Sequence, residues 1–166
     1  MNRKQLEHGH WQRVFDFDIH TRKFFTITTN NYIIALSGGS VWVSDKNTKD
    51  VLFRKSGFNY LYTADVSPDE KVLVALENGK HFYGFSLETF KQLKRVTLPY
   101  GYESIDCYPS FTPCGSEILI PVSRYFIKDE IAEYHYYICR YDARTYMLLS
   151  MAEVNYDCFP SWPIQL

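Results

Sequence analysis

Residues 63–76 read TADVSPDEKVLVAL, and residues 109–122 read PSFTPCGSEILIPV. Each runs from an apolar strand through a Ser/Thr-Pro turn into a second apolar strand. Superposing Ser67-Pro68 on Thr112-Pro113 sets Val66 over Phe111. FFTITTNNYIIAL (24–36) fits the same template, with Thr29-Asn30-Asn31 as its turn. A second anchor follows each unit: SDKNTKDVLF (44–53), SLETFKQLKR (86–95) and YDARTYMLLS (141–150). In each, a polar turn ending at Thr48, Thr89 or Thr145 joins two apolar runs, which reads as a hairpin.

Each unit therefore holds four short strands, and a period of about forty residues with four strands is the mark of a β-propeller blade. The predicted blades cover 23–56, 61–98 and 106–152. Helical periodicity is nearly absent; FIKDEIAEY (126–134) allows two turns at most. DCYPSF (106–111) and DCFPSW (157–162) repeat one another, the first as the innermost strand of the third blade and the second as the start of another. WQRVFDFD (11–18) falls one period before the outermost strand of the first blade and is expected to be such a strand from a preceding one. The expected fold is all-β: a partial β-propeller of three four-stranded antiparallel blades with single strands at both ends, in a domain spanning 11–166 behind a flexible tail at 1–10. Alternation along the innermost strands predicts burial of Ile27, Ala64, Val66, Phe111 and Trp162 or their immediate neighbours.

The turn SPDEK (67–71), set between apolar strands and followed about twenty residues on by a Thr-containing hairpin, resembles the blade pattern of WD-repeat and YVTN-type propellers. The resemblance covers roughly residues 11–162 and implies the fold. It carries over no functional residue, because the family shares no catalytic set. No Gly-His pair precedes an innermost strand, and Ser44-Asp45 and Tyr141-Asp142 stand where a Trp-Asp pair would fall.

Composition narrows the function. Charged residues are 22% of the chain and the net charge is −1, which points to neither nucleic acid nor an acidic membrane surface as partner. No apolar run reaches the roughly eighteen residues of a membrane span. MNRKQLEHGHWQRVF has no apolar stretch behind its basic start, so a cytoplasmic location is expected, with all four cysteines reduced. Their spacing matches neither a zinc site nor a CxxC motif.

Chemistry-bearing candidates are few. His8, His10 and His20 lack a carboxylate or cysteine at ligand spacing, so no metal and no cofactor is expected. Asp106 and Asp157 would suit acid–base chemistry if crowded together, yet they occupy equivalent repeat positions and repetition explains them equally well. No nucleophile elbow, phosphate loop or HExxH motif is present. The aromatic run YHYYICRY (134–141) reads as core.

The third unit is about ten residues longer than the second, and the surplus falls at 123–133, expected as an enlarged loop. It shares a predicted face with the inter-blade segments, which places Tyr60, Tyr100, Tyr102, Glu103, Asp106, Tyr125, Lys128, Asp129, Glu130 and Asp157 on one candidate binding surface. Tyr-rich polar loops on a rigid frame suit protein recognition. The expectation is a non-enzymatic interaction scaffold with a protein partner, and a homodimer that completes the propeller is a further expectation. The alternative is a truncated or split propeller domain of a hydrolase or quinone-linked oxidoreductase.

Overall fold

In the computed structural model, which describes residues 2–6, 11–17, 23–105 and 107–158, the chain builds three antiparallel sheets in sequence. The first contains β1 (Asn2–Leu6), β2 (Gln12–Phe17), β3 (Lys23–Thr28), β4 (Tyr32–Ser37), β5 (Ser40–Asp45) and β6 (Val51–Ser56), hydrogen-bonded in that order. The second contains β7 (Leu61–Val66), β8 (Val72–Glu77), β9 (His81–Ser86) and β10 (Gln92–Thr97). In the third, β11 (Glu103–Ser104) and β12 (Ser110–Phe111) both pair with β13 (Glu117–Lys128), followed by β14 (Ile131–Asp142) and β15 (Leu148–Val154). Three four-stranded antiparallel sheets with extra strands form the all-β partial propeller expected from the repeats. Among the described residues no helix is long and apolar enough to cross a membrane.

Neighbouring sheets bury side chains between them, so both faces of an internal sheet must be apolar. The second sheet shows this best: every residue of β7 is buried. Its Phe85 ring lies 6.0 Å from Phe53 of the first sheet, and its Phe82 ring lies 4.9 Å from Tyr141 of the third. Ile27, Ala64, Val66 and Phe111 are all buried, as the alternation predicted; Trp162 lies outside the described residues.

The last hairpin of each sheet is closed by one device. Asp45 Oδ1 accepts from the amides of Asn47 and Thr48, Ser86 Oγ from those of Glu88 and Thr89, and Asp142 Oδ1 from those of Arg144 and Thr145. These bonds hold the carboxyls of Asp45 and Asp142 below the usual range, with the Thr48 and Thr145 amides the largest causes. The turn then needs a left-handed residue, which Lys49, Phe90 and Tyr146 supply at φ 67°, 54° and 60°.

Several expectations give way. Residues 2–6, expected within a tail, form β1. Gln12–Phe17, expected as an outermost strand of a preceding blade, pairs residue for residue with Lys23–Thr28 inside the first sheet, with β1 on its other side. An alternating strand sequence does not encode which edge it joins, and here it satisfies an otherwise open row of backbone groups. Of the innermost strand expected at 106–111, only Ser110–Phe111 is strand, because Pro109 before it has no N–H to offer a ladder; β11 precedes the expected range and pairs further along β13. The enlarged loop expected at 123–133 is strand: β13 runs to Lys128 and β14 begins at Ile131. No helix forms at 126–134. Of the strand expected at 157–162, only the first two residues are described, and they lie in a 3-10 turn, Tyr156–Cys158.

Candidate functional site: a projecting hairpin

Strands β13 and β14 have twelve residues each, against six in the strands of the second sheet. No Gly or Pro interrupts residues 122–128 or 131–142, so the ladder has no reason to stop at the sheet boundary. Asp129 and Glu130, at φ 50° and 65°, make the two-residue turn with both centres left-handed that suits the twist of a hairpin. β11 pairs no further along β13 than Ser123, and β15 no further along β14 than Tyr136. Beyond those residues five pairs, from Arg124↔His135 to Lys128↔Ile131, bond only to each other. At about 3.4 Å per residue they carry the turn about 17 Å past the sheet.

The two faces of this projection differ. One carries Arg124, Phe126, Lys128, Ile131, Glu133 and His135. The other carries Tyr125, Ile127, Ala132 and Tyr134, with no charge at all, and Tyr125 lies 6.2 Å from Tyr134 across the strands. Ile127 is 75% exposed and Ile131 at the tip 67%. Exposed Tyr125, Ile127 and Tyr134 together on the uncharged face are the kind of patch that partners cover.

Its base is braced. The Arg124 guanidinium lies between the Tyr102 ring, at 5.5 Å, and the Phe126 ring, at 4.8 Å. Tyr102 meets Tyr137 edge-on at 5.1 Å. Phe126 meets His135 at 5.1 Å, and His135 Nδ1 lies 2.7 Å from Glu153 Oε1 of β15. Burial, followed by the Glu153 charge, raises the Tyr137 phenol. These contacts make the projection a supported arm.

The candidate residues separate accordingly. Tyr125, Lys128, Asp129 and Glu130 lie on the arm and are exposed. Glu103 pairs with Ser123 at its base, and Tyr100, 99% exposed, sits on the adjoining turn. Tyr102 is buried and belongs to the support. Tyr60 stands apart, between the first and second sheets, where its carbonyl accepts from the Asn78 amide. The linkers and the 78–80 turn do share one side: the Ser104 amide donates to Gly79 O, and the Gly79 amide to Ser104 Oγ. Asp157 is exposed on the 3-10 turn, and Asp106, His8, His10 and His20 lie outside the described residues. Among the described residues no group of three or more His, Cys, Asp or Glu side chains is placed to hold a metal. Reading the surplus residues as a loop hid Ile127, Ile131 and Tyr134; the lack of Gly and Pro across 122–142 was the signal available in the sequence.

A recess lies between the first two sheets. Its floor is the buried Glu77 carboxylate, which accepts from the Asn59 amide at 2.6 Å and from the Tyr83 hydroxyl at 3.2 Å. Those bonds tie a linker to the strand end beneath it, a structural use of the charge.

No protein-family model matches this chain, and no curated protein matches it in sequence.

Proposed function

We propose that the chain is a non-enzymatic interaction scaffold of the β-propeller type, and that it engages a protein partner through the β13–β14 arm. One observation carries this: five residue pairs project beyond the sheet and present an uncharged Tyr-Ile-Ala-Tyr face on which Tyr125, Ile127 and Tyr134 are exposed. Tyr and Ile on a braced hairpin bury much area at little cost in side-chain freedom, which is what a recognition element needs. The blade-like likeness to WD-repeat and YVTN-type propellers supports the same reading.

The test removes the arm and keeps the frame. Deleting 125–128 and 131–134 in register leaves Arg124-Asp129-Glu130-His135 as a short hairpin. Crosslinking of intact and shortened chains in the source cells is then compared by mass spectrometry. Partners captured by the intact chain should vanish from the shortened one while its circular dichroism stays all-β. An unchanged partner set would rule out the arm.

A further inference from the structure

We infer that the partner meets the arm by strand addition: an extended segment of another protein, acidic at both ends and apolar between, pairs with the outer edge of β13 along Arg124–Lys128. This rests on the arm being the contact element and specifies how it is used.

A two-residue turn obliges its closing pair, Lys128 and Ile131, to exchange both backbone hydrogen bonds, and bonded pairs then alternate with non-bonded ones. Arg124, Phe126 and Lys128 therefore spend their N–H and C=O groups inside the hairpin. Tyr125 and Ile127 turn theirs outward, as Ser123 does, and the outward groups of Ser123 face Glu103 of β11. The same edge thus takes an antiparallel strand up to Ser123 and is open beyond it. Among the described residues no backbone bond from another segment reaches Tyr125 or Ile127, and both are exposed. They offer an incoming chain two donors and two acceptors in line with β11. The β14 edge is less free, since the chain leaving β15 stays beside it, with the Tyr156 ring 4.8 Å from Tyr136.

Charge selects the occupant. A strand laid antiparallel on this edge sets one side chain beside each of Arg124, Phe126 and Lys128. Two cations flanking a ring call for two carboxylates flanking an apolar residue, and on the other face Tyr125 and Ile127 call for apolar neighbours. Arg124 is already held in place between the rings of Tyr102 and Phe126. Glu133 and the His135–Glu153 pair lie at least one strand further away. A second copy fits badly. Two β13 edges, in the register that uses both outward residues, set Arg124 opposite Lys128 at each end. Two β14 edges set Glu133 opposite Glu133. Like charges directly opposite destabilise a ladder.

The probe is a synthetic peptide, Thr-Glu-Val-Ile-Val-Glu-Thr, titrated into the full chain by calorimetry; its order is the same in both directions. Laid on β13, its two Val residues pair with Tyr125 and Ile127, and its Ile with Phe126. Methylating both Val nitrogens should therefore abolish binding, whereas methylating the Ile nitrogen, which points away from the arm, should leave it nearly unchanged. Lys128→Glu should weaken binding several-fold, and the chain shortened to Arg124-Asp129-Glu130-His135 should not bind. Equal affinity after either methylation would refute strand addition and leave the arm a contact made by side chains alone. No binding at millimolar peptide, or binding that survives in the shortened chain, would refute it as well, while the crosslinking comparison still decides on the arm itself.

Discussion

Glu70 shows how much one side chain decides here. It belongs to the SPDEK turn of the second sheet, is held at φ 57°, and reaches back to the turn of the first. Its carboxylate accepts from Thr29 Oγ1 at 2.7 Å and from the amides of Asn30 and Asn31 at 3.2 and 3.0 Å. Burial works to raise its pKa, but these donors outweigh it and the net shift is downward from 4.5. A carboxyl depressed on folding stabilises fully above its unfolded value, and the contribution is lost as pH falls through the folded one. Glu70→Gln keeps the backbone and the volume, so it should cost about 1–3 kcal/mol in urea titration near neutral pH. That gap from the parent should narrow below the ordinary carboxylate range; a constant gap would separate the effect from the charge. Cys114 differs from its fellow thiols in the same spirit. The Ser116 hydroxyl, 3.0 Å from its sulfur, and then the Ser116 amide lower it to about 7, whereas burial raises Cys139 to about 12. Iodoacetamide should therefore label exposed Cys114 in the native chain, with half-maximal rate near pH 7, and Ser116→Ala should move that midpoint upward. Cys107 and Cys139 should react only on unfolding.

Elements were legible where a local pattern fixes them. The Ser-Pro and Thr-Pro turns and the three polar hairpins placed β3 to β10 within a residue or two, because turn chemistry and alternation both act over a few positions. What the sequence could not reveal was which open edge accepts a strand, hence the misassigned Gln12–Phe17, or whether extra residues loop out or lengthen a ladder. For 123–133 the deciding fact was cross-strand matching, such as Tyr125 with Tyr134, which appears only when the two arms are folded together. Tyr102 likewise reads as a surface tyrosine until Arg124 is laid over it. The left-handed hairpin residues were equally hidden, and they have a use. Tyr146 packs onto the second sheet at Gly84, where an added Cβ would run into its ring. Its hydroxyl is buried without a hydrogen-bond partner. Tyr146→Phe should thus be neutral or stabilising. Gly84→Ala should cost about 1–3 kcal/mol. In the Tyr146→Phe background the cost should be smaller, and a double-mutant cycle in denaturant measures the coupling. Strict additivity would show that the ring yields freely.

At the scale of the whole molecule, the third sheet leaves Ile138 half-buried and Ala152 and the uncharged side of the arm exposed among the described residues. An apolar sheet face left open in this way favours association. Two copies would bring six such sheets together, within the about four to eight that close a propeller. Sedimentation at micromolar concentration should therefore give a mass above the 19.6 kDa of one chain, and Ile138→Arg should return it to that value. A 19.6 kDa species for the parent chain at every concentration would refute the dimer.

The contacts between sheets also have a direction in time. Glu70 grips a turn some forty residues earlier in the chain, Phe90 rests its ring 6.4 Å from Tyr32, and Tyr146 reaches back to Phe82 at 6.5 Å. In each case the later residue closes on a sheet that is already complete when it emerges from the ribosome. The chain can therefore latch behind itself during synthesis, one sheet at a time, without waiting for its far end.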